Sequence, residues 1–265
     1  MIEVPPPPED TVEVITRFLS DYLEQAGSRG FVVPVSGGLD STVVLELALR
    51  AVGERKVLAL YMPEEEPKDD RNFELLRGLA EKRGFSLIAW PIGPLAFHFS
   101  HLGGKKVVLG NVKARLRMVV AYSVANDLGL LVLGASNKSE IMLGYFTKYG
   151  DGAADLYPIK DLYKTQVAAL AGKLGIPEEV LEKRPSAGLW EGQTDEEELG
   201  APYSEIDPIL YGLELGLSEE EIVERGHDPT LVKGIIERVR RTRHKRIPFP
   251  GPKLSLRTPG LDWWE

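Results

Sequence analysis

Short apolar runs alternate with helical periodicity through the first half of the chain, and this alternation constrains the fold most. The runs are residues 30–35, Lys56–Tyr61 (KVLALY), Phe85–Trp90 (FSLIAW) and Leu130–Leu133 (LLVL). Helical patterns lie between them at about 39–52, 70–83 and Asn111–Asp127. Another, over 9–27, precedes the first run and places Val14, Ile15, Phe18, Leu19, Tyr22 and Leu23 at helical spacing. Such alternation implies an α/β fold, a doubly wound parallel sheet covered by helices on both faces. After residue 135 the strand signal fades. Residues 160–174, 203–214, 218–226 and 228–246 read as a helical C-terminal region, followed by an irregular tail over 247–265. Residues 91–109 read as irregular. The 265 residues are expected to form one domain, ample to bury a core.

Composition narrows the chemistry. The chain has no Cys, which excludes a disulfide scaffold, a zinc ribbon and thiol catalysis, and suits a reducing cytoplasm. The start, MIEVPPPPEDTVEV, has neither a basic region nor an apolar signal core, so no export signal is expected. No run approaches the roughly 18–20 apolar residues of a membrane span, and no membrane partner is expected. The net charge of −8 argues against a general nucleic-acid binder. Against it stand six basic residues within nine positions: Arg238, Arg240, Arg241, Arg243, Lys245 and Arg246. Cations also favour a helix C-terminus, and most such runs are solvated, so no nucleic-acid partner is expected.

Ligands of open parallel sheets bind beyond the carboxyl ends of strands. Two polar segments occupy such exits: VSGGLDS at Val35–Ser41 and GASNKSE at Gly134–Glu140. In the first, preceded by Pro34, Gly37 and Gly38 allow a sharp turn and close backbone approach to a ligand. Consecutive N–H groups ahead of the Leu39 helix form a nest for an anion, to which Ser36 and Ser41 add hydroxyls. Asp40 adds a hard oxygen suited to Mg²⁺. The plainer reading is a turn with Ser36 as N-cap. In the second segment, Glu140 fits the acidic partner of a capping arrangement.

The string SGGLDS closely resembles the pyrophosphate-binding loop of the ATP pyrophosphatase family, whose members split ATP between the α and β phosphates. Four further segments resemble the NAD synthetases in order and spacing: NVKARLRM at 111–118, SNKSEIMLGYFTKYGDGAADLYPIKDLYKTQV at 136–167, KRPSAGLWEGQTDEEELG at 183–200 and HKRIPFPGP at 244–252. The resemblance covers residues 10–252, and with only 35 residues ahead of the loop the chain looks like the ammonia-dependent form, without a glutaminase domain. It implies ATP-dependent amidation of deamido-NAD by ammonia through an adenylated intermediate, giving NAD, AMP and pyrophosphate, with Mg²⁺ as cofactor.

The same resemblance assigns Asp40 and Glu140 to Mg²⁺, and Pro34, Val35, Ser36, Gly37, Gly38, Leu39, Asp40, Ser41, Ala135, Lys164 and Ser186 to ATP. It assigns Arg115, Lys148, Asp155, His244 and Lys245 to deamido-NAD. Asp151, in a loop where Gly150 and Gly152 permit ordering over ligand, would help deprotonate incoming ammonium. One residue departs from the family pattern: Ala135 stands where Thr is usual. It cannot donate a hydroxyl hydrogen bond, a loss of about 1 kcal/mol unless Ser136 or Ser139 compensates. The resemblance further implies a homodimer with the dinucleotide at the shared surface. Val112, Leu116, Val119, Val120 and Val124 could line that surface or pack under the sheet.

Overall fold

The elements run α1 (Thr11–Gln25), β1 (Phe31–Val35), α2 (Leu39–Val52), β2 (Val57–Tyr61), α3 (Arg71–Arg83), β3 (Ser86–Ala89), α4 (Gly93–Phe97), α5 (Lys106–Leu128), β4 (Leu131–Val132), α6 (Lys138–Leu143), α7 (Lys164–Leu174), α8 (Glu178–Leu181), α9 (Asp195–Leu199), α10 (Tyr203–Glu214), α11 (Glu219–Glu224), α12 (Pro229–Arg241) and α13 (Arg243–Arg246). The computed structural model describes residues 2–102, 105–186, 188, 190, 192–247, 250–254, 256 and 257. Most of the expected irregular tail over 247–265 lies outside these residues.

All four strands pair in parallel in the order β3-β2-β1-β4. Side chains of β1 alternate between two apolar layers, as strand pleating requires. Phe31, Val33 and Val35 pack with residues of α1, α2 and α7. Val32 packs on the opposite face with Val120, Ala121 and Ala125 of α5. A proline is unusual in a central strand because it cannot donate to the ladder. Here Gly30 O and Val32 O accept from Leu131 N and Leu133 N at 3.0 Å, so alternate backbone groups of β1 face β4. Pro34 lies on that side, beyond the last β1–β4 pair at Val32 and Val132, where no donor is needed. The strand can therefore end in a proline where the polar loop begins.

A second core gathers behind the carboxyl ends of the strands. Leu143, Tyr163, Ile206, Ile209, Leu210, Ile222, Val232 and Ile235 close it between α6, α10, α11 and α12. This is the expected helical C-terminal region, and it positions α6 and the start of α7 against the sheet.

Some expectations about local structure change. Residues 91–109 are not irregular throughout: α4, a 3₁₀ turn at Ser100–Leu102 and the first turn of α5 occupy part of them. The helix expected from Asn111 starts at Lys106, because Val107, Val108 and Gly110 are weak helix formers that the packed helix carries along. The pattern read over 228–246 breaks at Thr242, whose Oγ1 bonds Arg238 O at 2.8 Å. Thr242 also lies against Gly144, where a Cβ would approach its own Cβ to 2.3 Å. In α1, Leu19 and Leu23 are buried, but Val14, Phe18 and Tyr22 form an exposed stripe. In α5, Val120 is buried under the sheet while Val119 is 51% exposed, so the five apolar positions divide between faces.

Candidate active site

The loop after β1 turns on Gly37, which has φ +70°, a conformation that disfavours any Cβ. A Cβ there would also come within 2.9 Å of Asn72 Cβ. Ser41 Oγ accepts from Ser36 N at 3.2 Å and donates to Gly38 O at 3.1 Å, closing the loop on itself. The N-cap of α2 is Gly38, with no side-chain cap, so the reading of Ser36 as N-cap does not hold. Helix geometry leaves the first N–H groups of α2 without intrahelical acceptors. They stand at the end of the sheet with the positive end of the helix dipole behind them.

Opposite this loop, α6 brings in Glu140. The capping reading of Glu140 holds, and it uses only one carboxylate oxygen. Oε2 accepts from Asn137 N at 3.3 Å, while Asn137 Oδ1 accepts from Glu140 N at 3.0 Å, a complete capping box. Oε1 lies 3.8 Å from Lys164 Nζ. That amine, on the first turn of α7, makes a buried ion pair with Asp40 Oδ2. Asn137 Nδ2 donates to Asp40 Oδ1 at 3.2 Å. Burial and the neighbouring Asp40 carboxylate push Glu140 up to about 8, against the pull of Lys164. Burial opposes the Lys164 charge, but Asp40 and Glu140 outweigh it and hold the amine above the ordinary lysine range.

Behind the cluster, Asp207 of α10 is fully buried. It accepts from Ser139 Oγ at 2.6 Å, Thr165 N at 2.9 Å and Thr165 Oγ1 at 2.8 Å. Ser139 Oγ in turn accepts from Lys164 N at 2.9 Å. Ser139 is thus committed to the scaffold and unavailable to compensate for Ala135. Ser136, buried in the cleft wall, remains placed to do so.

These groups line one cleft of about 720 Å³. Pro34, Val35, Ser36, Gly38, Leu39, Asp40, Ser41, Ala135, Glu140, Asp151, Lys164, Ser186 and Lys245 all border it. Arg115 is exposed outside it, and Arg117 takes the inward place, donating from Nε to Met62 O at 3.0 Å. Lys148, Asp155 and His244 also lie off the cleft. Lys148 Nζ donates to His244 O at 2.9 Å, and Asp155 Oδ2 accepts from Val132 N at 2.7 Å at the end of the sheet.

The 146–155 loop is tied down. Asp151 Oδ1 accepts from Thr147 N at 3.0 Å, and Thr147 Oγ1 donates to Asn111 Oδ1 at 2.7 Å. Asp151 opens onto the cleft, yet the protein packed around it raises its pKa, with the Thr147 hydrogen bonds in opposition. Gly152 has no left-handed φ; it is small because a Cβ would sit 2.2 Å from the Phe146 ring. Tyr149 adopts φ +63°, a strained conformation for a tyrosine, beside these glycines.

The basic run at 238–246 divides: Arg240, Arg241 and Arg243 are exposed, while Arg238, Lys245 and Arg246 turn inward. Lys245 Nζ donates to Gly144 O and Phe146 O at 2.7 Å each. Arg246 Nη1 donates to Met142 O at 2.7 Å, and Arg238 Nε to Leu143 O at 3.3 Å. These cations serve the carbonyl end of α6 and stitch the 144–150 loop to α12 and α13.

Several cleft residues lie within segments marked in the sequence but receive no site role there: Arg117, Lys183, Arg184, Asp195, Glu198 and Arg238. Asp195 Oδ2 accepts from Tyr203 OH at 3.2 Å, while its buried Oδ1 has no partner among the described residues. The donor set fits a hard divalent cation. Asp40 and Glu140 offer carboxylate oxygens, and Asp195 also borders the cleft. Among the described residues no three acids are grouped to hold a metal alone, so phosphate oxygens and water must complete such a site.

The NAD synthase family model matches residues 11–248. An NH(3)-dependent NAD(+) synthetase of Thermococcus kodakarensis is 46% identical over 248 residues, 92% of this chain and 96% of that protein. Among solved structures, an NMN synthetase from Francisella tularensis is similar with TM-score 0.80 and 32% identity, covering 93% of this chain and 98% of that one. An NH3-dependent NAD synthetase from Campylobacter jejuni in complex with the nitrate ion has TM-score 0.77 and 30% identity over the same shares.

Proposed function

This chain belongs to the NAD synthase family and catalyses ATP-dependent amidation of deamido-NAD with ammonia, and we propose that it does so by adenylating the nicotinate carboxylate in the cleft described above. One observation carries the proposal. The uncapped start of α2, turned on Gly37, carries Asp40 into contact with Lys164 and Glu140 in a single cleft.

The nicotinate carboxylate attacks the α-phosphorus of ATP, and pyrophosphate leaves into the nest formed by Ser36–Ser41. Lys164 and Ser186 border the path of the phosphates. Asp40 and Glu140 would hold Mg²⁺, which neutralises charge on the departing pyrophosphate when bound. Ammonia then attacks the adenylated carboxyl carbon, the amide forms and AMP leaves. Asp151, open to the cleft with a raised pKa, takes the proton from incoming ammonium. No covalent intermediate on the protein is needed; positioning and fixed charge lower the barrier.

Lys148, His244 and Lys245 are tied together around the 144–150 loop, and this supports their assignment to the dinucleotide. Arg115 and Asp155 keep their assignment with the dinucleotide on the adjacent surface. A homodimer is part of the same reading, supported by the exposed Val119 of α5. The Cys-free composition supports a cytoplasmic location. Among the described residues no helix is long and apolar enough to cross a membrane.

The test is direct. Protein supplied with ATP, Mg²⁺, ammonium and deamido-NAD should give NAD, AMP and pyrophosphate in equal amounts. Pyrophosphate release without NAD would defeat the reading. The likeness to an NMN synthetase favours one rival, amidation of nicotinate mononucleotide, and a parallel assay with that substrate measures it.

A further inference from the structure

Lys183 follows α8 and reaches back to the loop after β1. Its Nζ donates to Gly37 O at 3.1 Å and to Asn72 Oδ1. The two buried lysines among the described residues each have an acid, Lys164 with Asp40 and Lys113 with Glu64, and part-buried Lys138 has Glu214 and Asp161. Among the described residues Lys183 makes no ion pair, and both its acceptors are neutral carbonyl oxygens. An ammonium has three donors, so one remains for a ligand. Lys183 borders the cleft beside Ser36, Gly38 and Ser186.

We propose that Lys183 binds the phosphates that ATP releases as pyrophosphate, supplying the mobile positive charge of the nest while its bond to Gly37 O fixes the loop peptide. The Gly37–Gly38 peptide turns its carbonyl to Lys183 and its N–H to the Ser36 side, where Gly38 N meets Ser36 Oγ at 3.3 Å. A carbonyl turned into the nest would repel phosphate; the lysine prevents it. Desolvation holds the amine below the ordinary lysine range against the pull of Asp70, which is not in ion-pair contact, so among the described residues the ammonium lacks a direct counter-ion. An incoming polyphosphate provides one. Lys164 is committed to two carboxylates, so the two lysines differ in charge environment.

This inference rests on the adenylation chemistry proposed above, and its test is separable from it because it needs no turnover. Binding of inorganic pyrophosphate with Mg²⁺, and separately of AMP, is measured by calorimetry on the full chain, on Lys183→Met and on Lys183→Arg. In Lys183→Met the pyrophosphate affinity should fall at least tenfold, while AMP affinity stays within twofold and the melting temperature is held. Lys183→Arg should recover part of the loss and keep a steeper salt dependence than Lys183→Met. Unchanged pyrophosphate affinity in Lys183→Met would overturn the inference. So would equal loss of AMP and pyrophosphate with a lowered melting temperature, in both variants, since that marks a purely structural clasp. A wild-type protein that binds pyrophosphate through Lys183 but makes no NAD would leave this inference standing and remove the functional reading.

Discussion

Asp40 and Lys164 lie 124 residues apart in the chain and form a buried ion pair in the cleft. The pair ties the start of α2 to the start of α7, and Glu140 shares the same amine at 3.8 Å. Removing one partner of a buried pair leaves a charge uncompensated, which costs about 3–5 kcal/mol. Lys164→Met should therefore destabilise the protein by that order in urea unfolding. Asp40→Asn with Lys164→Met together should cost less than the sum of the single changes. Strict additivity would show that the pair is not coupled.

Ala135 stands at the strand exit where the family resemblance implies a threonine hydroxyl. Ala135→Thr should tighten ATP by about 1 kcal/mol, roughly fivefold in Kd. An unchanged Kd, together with weaker binding in Ser136→Ala, would show that Ser136 already supplies the contact.

Asp151 is held above the ordinary carboxylate range by burial. As a base it works only when ionised, so activity should be lost as pH falls through its raised pKa. The acid limb of kcat at saturating ammonium should therefore lie above the pKa of a free aspartate. Asp151→Asn should abolish that limb and lower kcat by about 10²–10⁴. A full rate in Asp151→Asn would remove its role.

Asp207 satisfies three donors on Ser139 and Thr165 while fully buried. Asp207→Ala leaves them unpaired, at about 1–3 kcal/mol for each group that cannot find another partner. The change should show as a lowered urea midpoint at constant m-value. A weakened Mg²⁺ dependence should accompany it, because Lys164 N and Ser139 share this support.

How much of this the sequence carried depends on the range of the interaction. The strands were legible because buried parallel strands read as apolar runs, and 56–61 and 85–90 returned as Val57–Tyr61 and Ser86–Ala89. The loop after β1 was legible because Gly37 and Gly38 answer to local backbone geometry. The orientation of helices was less so. Phe18 and Tyr22 have the spacing of a core face yet stay exposed, since periodicity finds a helix without saying what covers it. Arg115 and Arg117 show the same limit within one turn of α5. Lys183 lies inside the recognisable 183–200 segment, yet its part is set by Gly37 and Asn72, distant along the chain, and no local pattern records such a meeting.

The stitching of Lys245, Arg246 and Arg238 onto the carbonyls around α6 also bears on synthesis of the protein. Walls contributed by residues 34–41, 136–151, 183–186 and 238–245 cannot meet until the last of these has left the ribosome. A nascent chain thus carries the nucleotide loop early but no finished chamber until that point.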